Sequence, residues 1–106
     1  MNENDARRIE DILEFALELE KCVELEKTNF LEDKVTSRAI ERILELIGEA
    51  ATAMSPEGRS EFPNVDWSGA LGMRTWLAHA YHRINSDLIW KTATESVPEM
   101  IKSLRV

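Results

Sequence analysis

Residues 39–50 read Ala39-Ile40-Glu41-Arg42-Ile43-Leu44-Glu45-Leu46-Ile47-Gly48-Glu49-Ala50, and the spacing of their apolar side chains decides the fold. Ile40, Ile43, Leu44 and Ile47, continued by Ala51 and Met54, recur at helical spacing, the pattern of an α-helix with one face in a core. The spacing predicts a helix over residues 34–54, with Asp33 as its cap. Gly48, Ala50 and Ala51 give this helix a small-residue surface where another backbone can come close.

The same period extends outward in both directions. Upstream, Ile9, Ile12, Leu13, Ala16, Leu19 and Val23 form a core stripe on a helix over residues 5–27, with Glu10, Glu14, Glu18 and Lys21 on its solvated side. Residues 28–32 are a polar break in which Phe30 and Leu31 are available to pack. Downstream, Ser55-Pro56-Glu57-Gly58 and Pro63 mark residues 55–64 as a loop. Asp66 caps a third helix whose apolar face carries Ala70, Met73, Leu77, Ala80 and Ile84. Asn85-Ser86 interrupts the pattern and starts a fourth helix with Leu88, Ile89 and Trp90. Ser96-Val97-Pro98-Glu99 has the form of a capping box with proline in the first turn, opening a last helix to Arg105. No alternating strand pattern, internal repeat or low-complexity segment appears. The expectation is an all-α chain, an up-down antiparallel bundle of four to five helices forming one domain over residues 1–106.

Composition narrows the function. With 43% hydrophobic and 31% charged residues, the chain has the balance of an ordinary globular protein. No apolar run approaches the ~20 residues of a membrane span. The polar first ten residues carry no signal-peptide core, so the cytoplasm is expected. Cys22 is the single cysteine. It can form no internal disulfide, no Cys/His group has zinc spacing, and a packed core role is expected. The net charge of −7 argues against indiscriminate nucleic-acid binding and requires any nucleic-acid site to gather its positive charge locally. It also suits docking against a basic partner.

One segment breaks the pattern of plain core helix. Arg74-Thr75-Trp76-Leu77-Ala78-His79-Ala80-Tyr81 interleaves three polar groups of different chemistry with apolar residues, which is costly to bury unless they are paired. Arginine is a fixed cation whose planar fork suits phosphate, and histidine exchanges protons near neutral pH. RNA carries its own nucleophile, the 2′-hydroxyl. A histidine can take that proton or deliver one to the leaving 5′-oxygen, and an arginine can stabilise the charge gathering on phosphorus. Such a site needs no metal and no cofactor. Arg74 and His79 lie about 140° apart around an ideal helix, so one straight helix does not put them on one face. Either the helix is distorted near Ala78 or a second copy completes a cleft; the second fits better, because a twofold axis pools two Arg/His sets. Taken singly, these residues have ordinary roles: Arg74 in a surface ion pair, His79 as a satisfied interior or interface histidine, Tyr81 at the core edge with a wet hydroxyl. Trp67, Trp76 and Trp90 read as packing residues, and His82 and Arg83 as solvated neighbours.

At these residues the chain resembles the HepT-like branch of the HEPN superfamily, the toxins of MNT–HEPN toxin–antitoxin pairs. The signature is Arg-x4-His-x-Tyr, matched by Arg74, His79 and Tyr81. The frame is similar too: residues 39–50 resemble the family's second helix. Phe62-Pro63-Asn64-Val65-Asp66-Trp67 followed by Gly72-Met73-Arg74 resembles its approach to the motif. The resemblance spans residues 5–104. It implies a HEPN-like helical bundle and a homodimer with the motifs in a cleft between subunits. It implies metal-independent cleavage of RNA with Arg74 and His79 as the catalytic pair. It also implies a small MNT-type nucleotidyltransferase antitoxin as partner, which can neutralise the toxin by transferring AMP from ATP onto Tyr81. Family members often carry asparagine or aspartate directly after the arginine; here the residue is Thr75. The alternative is a non-catalytic helical module that partners a nucleotidyltransferase.

Overall fold

The computed structural model describes residues 1–26, 34–78 and 86–105. Among them every regular element is helical: α1 (Glu3–Glu26), α2 (Lys34–Ala53), α3 (Pro56–Ser60), α4 (Trp67–Ala78), α5 (Ser86–Lys91), a π-helical turn (Thr92–Ser96) and α6 (Val97–Leu104). The all-α bundle expected from the periodicity is the fold observed among the described residues. The break at 28–32, the Asp33 cap, the stripe positions Ala80 and Ile84 and the interruption at Asn85 lie outside the described residues.

The apolar stripes converge on one core. Ile12, Ile40, Leu44, Ile47 and Ala51 are completely buried and Leu19 nearly so. Ile43, Met54, Ala70, Met73 and Leu77 close the core from α2 and α4, and Ile89, Val97, Met100 and Leu104 from the C-terminal helices. Trp67, Trp76 and Trp90 are half-buried and pack against it, as does Cys22. Glu10, Glu14, Glu18 and Lys21 are exposed along the far side of α1. Completely burying a leucine or isoleucine side chain contributes roughly 1.5–3 kcal/mol, so the α2 stripe is the strongest single determinant of the bundle.

The hairpin of α1 and α2 is antiparallel, and its open end is tied by polar contacts. Asn4 Nδ2 donates to the Ala53 carbonyl at 3.1 Å, and Asp5 accepts from the Ser55 amide at 2.8 Å and the Ser55 hydroxyl at 2.6 Å. Arg59 Nη1 donates to the carbonyls of Ala51 and Met54 at 3.2 and 2.8 Å, placing a cation on the C-terminal carbonyls of α2, where the helix dipole favours it.

Two stretches fold differently from expectation. Residues 55–64 are not loop throughout. Ser55 is extended and its Oγ accepts from the Gly58 amide at 3.0 Å, with Pro56 at the first position, so a complete N-cap starts α3. The second difference is Ser96. It has helical dihedrals and makes no side-chain cap bond; no new helix begins there. The chain runs helically through 86–104, and the Val97 amide bonds the Thr92 carbonyl five residues back, a π-type bond. Pro98 explains the widening. It has no N–H, and its ring clashes with the carbonyl four residues earlier in a regular α-helix. The buried Thr92 hydroxyl donates to the Leu88 carbonyl and that of Thr94 to the Trp90 carbonyl, both at 2.7 Å. Both hydroxyls are therefore satisfied within their own helix.

Candidate active site

Arg74 sits on the third turn of α4, and the start of that helix is firmly set. The Gly69 amide donates to Asp66 Oδ1 at 3.0 Å, the expected N-cap. Trp67 Nε1 donates to the Phe62 carbonyl at 3.0 Å, fastening the preceding turn. Ala70, Met73 and Leu77 are buried on one face. Arg74 and Thr75 are exposed.

The backbone of Arg74 lies against α2 at Gly48. A Cβ built on Gly48 would stand 2.9 Å from the Arg74 amide nitrogen, 3.3 Å from the Arg74 Cβ and 3.2 Å from the Ala70 carbonyl oxygen. Gly48, part of the small-residue surface read from the sequence, therefore lies at the α2–α4 contact. No described glycine has positive φ, so Gly48 serves proximity and not backbone conformation.

The electrostatics leave Arg74 uncommitted. None of the ion pairs among the described residues uses it, so the ordinary surface pairing considered above is not found there. The α2 carboxylates on either side of Gly48 are already engaged: Arg42 Nη1 contacts Glu45 Oε1 and reaches Glu49 Oε1 at 3.6 Å. Arg74 is thus an exposed guanidinium with no carboxylate partner among the described residues, of a type whose planar fork suits an anion.

His79 and Tyr81, the other two motif residues, lie outside the described residues, as do His82 and Arg83. Among the described residues no group of three His, Cys, Asp or Glu side chains is arranged to hold a metal ion. Nor is any helix long and apolar enough to cross a membrane.

Two grooves flank the helices but not the arginine. One of about 620 Å³ runs between α1 and α6, with Leu17, Ile101 and Arg105 in its wall. The other, of about 420 Å³, separates α4 from the C-terminal helices and is lined by Trp76, Leu88 and Glu99. Arg74 lines neither. It is exposed to solvent outside both grooves.

The polar residue that sequence reasoning missed is Asp5, which is 1% exposed. The two Ser55 hydrogen bonds hold its carboxyl below the usual aspartate range, with a smaller contribution from Arg59, while desolvation works in the opposite direction. Its role is structural, closing the α1–α2 hairpin. The usable signal was Ser55-Pro56, a cap whose hydroxyl has capacity left for a buried acceptor.

Comparison with known proteins assigns the frame. Residues 9–106 match the family described as Ribonuclease HepT-like, and the chain belongs to that family. A protein of Methanocaldococcus jannaschii named as an RNase is 36% identical over 97 residues, covering 91% of this chain and 89% of its own. A second RNase by name, from Caldanaerobacter subterraneus subsp. tengcongensis, is 37% identical over 92 residues, 87% and 80% of the two chains. A Thermococcus cleftensis protein bearing the name ribonuclease HepT is 37% identical over 98 residues, 92% and 84%. No solved structure matches.

Proposed function

We propose that this chain is a metal-independent endoribonuclease, the toxin of a toxin–antitoxin pair, with Arg74 and His79 as its catalytic residues. The family match over residues 9–106 and the ribonuclease names of its relatives support the activity class. The observation that carries the site is the exposed Arg74, free of acidic partners among the described residues and held by its backbone against Gly48.

In this reading Arg74 binds the scissile phosphate and stabilises the negative charge that builds on its oxygens. The 2′-hydroxyl of the RNA attacks phosphorus, and the bond to the 5′-oxygen breaks. His79 either takes the 2′-hydroxyl proton or supplies one to the departing oxygen. The products are a 2′,3′-cyclic phosphate and a 5′-hydroxyl. The nucleophile comes from the substrate, so no metal-bound hydroxide is needed. Two chains related by a twofold axis pool their Arg/His sets in one cleft. A nucleotidyltransferase antitoxin of MNT type silences the site by transferring AMP from ATP to the Tyr81 hydroxyl, with release of pyrophosphate, placing phosphate beside Arg74 where it occupies the anion site and repels RNA. Cytoplasmic RNA is the substrate.

The test has two arms. Purified protein should cleave RNA in the presence of a chelator, and Arg74→Ala or His79→Ala should each lower the rate by about a hundredfold or more. Intact mass of protein expressed with and without its neighbouring reading frame should differ by AMP increments that map to Tyr81. Cleavage undiminished in both variants would refute the catalytic assignment. An unmodified Tyr81 in the presence of an active transferase would remove the proposed regulation.

A further inference from the structure

We propose that Gly48 is a positioning residue for Arg74: the missing side chain on α2 sets where the guanidinium of α4 stands. The inference rests on Arg74 being the phosphate-binding cation. Of the three atoms nearest a Cβ at position 48, two belong to Arg74 itself, its amide nitrogen at 2.9 Å and its Cβ at 3.3 Å; the third is the Ala70 carbonyl oxygen at 3.2 Å. All lie in the one turn of α4 that ends at the arginine. Two are rigid backbone atoms, so no side chain can rotate aside.

Ordinary contact distances between heavy atoms are about 3.5–4.0 Å. A methyl group at position 48 therefore requires a displacement of roughly half an ångström or more. The α2 side does not yield easily. Leu44, Ile47 and Ala51 are completely buried on it, and Asn4, Asp5 and Arg59 bind the chain at its C-terminal end. Beyond its N-cap, α4 is held there by Ala70, Met73 and Leu77, so the turn carrying Arg74 has to take up part of the displacement. Catalytic groups must be held within about 0.5 Å of productive geometry, and a displacement of 1 Å can cost a hundredfold in rate. The required displacement is of that order, and it acts on the residue that meets phosphate. Gly72 provides the contrast within α4, because a Cβ there meets nothing within 4 Å.

The experiment compares Gly48→Ala, Gly72→Ala, Arg74→Ala and Gly48→Ala/Arg74→Ala. Cleavage of a mixed-sequence fluorophore–quencher RNA oligonucleotide is followed at 25 °C, with folding checked by circular dichroism. Gly48→Ala should lower kcat by about tenfold or more while KM stays within about twofold; Gly72→Ala should change neither. In the Arg74→Ala background the Gly48 substitution should leave the residual rate within about twofold, because its effect runs through the arginine. A folded Gly48→Ala protein with wild-type kcat overturns the inference, as does an equal fractional loss in both backgrounds. If Gly48→Ala does not fold alone, it is measured with Gly72→Ala; failure to fold there too makes Gly48 a folding residue and overturns the positioning role. As a readout apart from turnover, inorganic phosphate titrated into ¹⁵N-labelled protein should shift the Arg74 Nε–H resonance in wild type and shift it less in Gly48→Ala. Full activity in Arg74→Ala defeats the catalytic reading itself, and a wild type that neither cuts RNA nor responds to phosphate defeats both.

Discussion

Arg74 and Asp5 show how two charged residues in one small protein are held in opposite ways. Arg74 is exposed, has no acidic partner among the described residues, and is fixed only through its backbone. Arg74→Ala should therefore alter stability by no more than about 0.5 kcal/mol while removing cleavage, which thermal melts and initial rates measure side by side. Asp5 is buried and bonded to Ser55. Its folded carboxyl titrates below the unfolded value, so its stabilising contribution is complete above the unfolded value and is lost as pH falls through the folded one. Asp5→Asn should melt lower than wild type at pH 7, and the gap should narrow as pH falls below about 3.9. The sequence made Arg74 legible because an arginine in an apolar helix is conspicuous. Asp5 was hidden: it sits in a polar run at the chain's start, and its partner lies 50 residues away.

Periodic stripes are the part of a sequence that packing amplifies, and at the scale of elements they were read well. The stripe of α2 predicted its burial residue by residue, and Asp66 predicted the start of α4. Leu44→Ala, at a completely buried position, should cost roughly 2–5 kcal/mol by denaturant titration. The misreadings fell where local signals admit two outcomes. A Ser-Pro pair can mark a loop or cap a helix; here Ser55 caps α3. Ser96 with Pro98 can begin a helix or widen one already running, and burial of Val97 and Met100 in the same core keeps the helix unbroken. Gly72 is the element-scale test of backbone freedom. Placed inside α4 with open space around it, its replacement by alanine should raise stability by about 0.5–1 kcal/mol. The same exchange at Gly48 forfeits that gain, because α4 already occupies the space.

At the scale of the molecule, the contrast is between a net charge of −7 and a site proposed to bind phosphate. Few cations engage RNA under that balance, so log affinity should fall only shallowly with log salt, in proportion to the few phosphates neutralised. Nitrocellulose-filter or anisotropy titrations between 50 and 200 mM salt measure that slope. A twofold assembly should sediment at twice 12.1 kDa, and dilution that splits it should abolish cleavage together with the dimer. The whole-molecule architecture followed from one repeating apolar period. A twofold assembly rests instead on the angular offset of Arg74 and His79 and on the family resemblance, because the periodic pattern reports interiors and not the surfaces through which chains associate.

The bond pair between Asp5 and Ser55 also bears on time. Bringing together groups 50 residues apart costs loop entropy before any hydrogen bond returns it, whereas the helices themselves form from neighbours in sequence. The expectation is a tie that closes after the folding barrier, which refolding and unfolding rates of Ser55→Ala would measure. Loosening it should leave the refolding rate untouched and speed unfolding, shortening the lifetime of the folded chain.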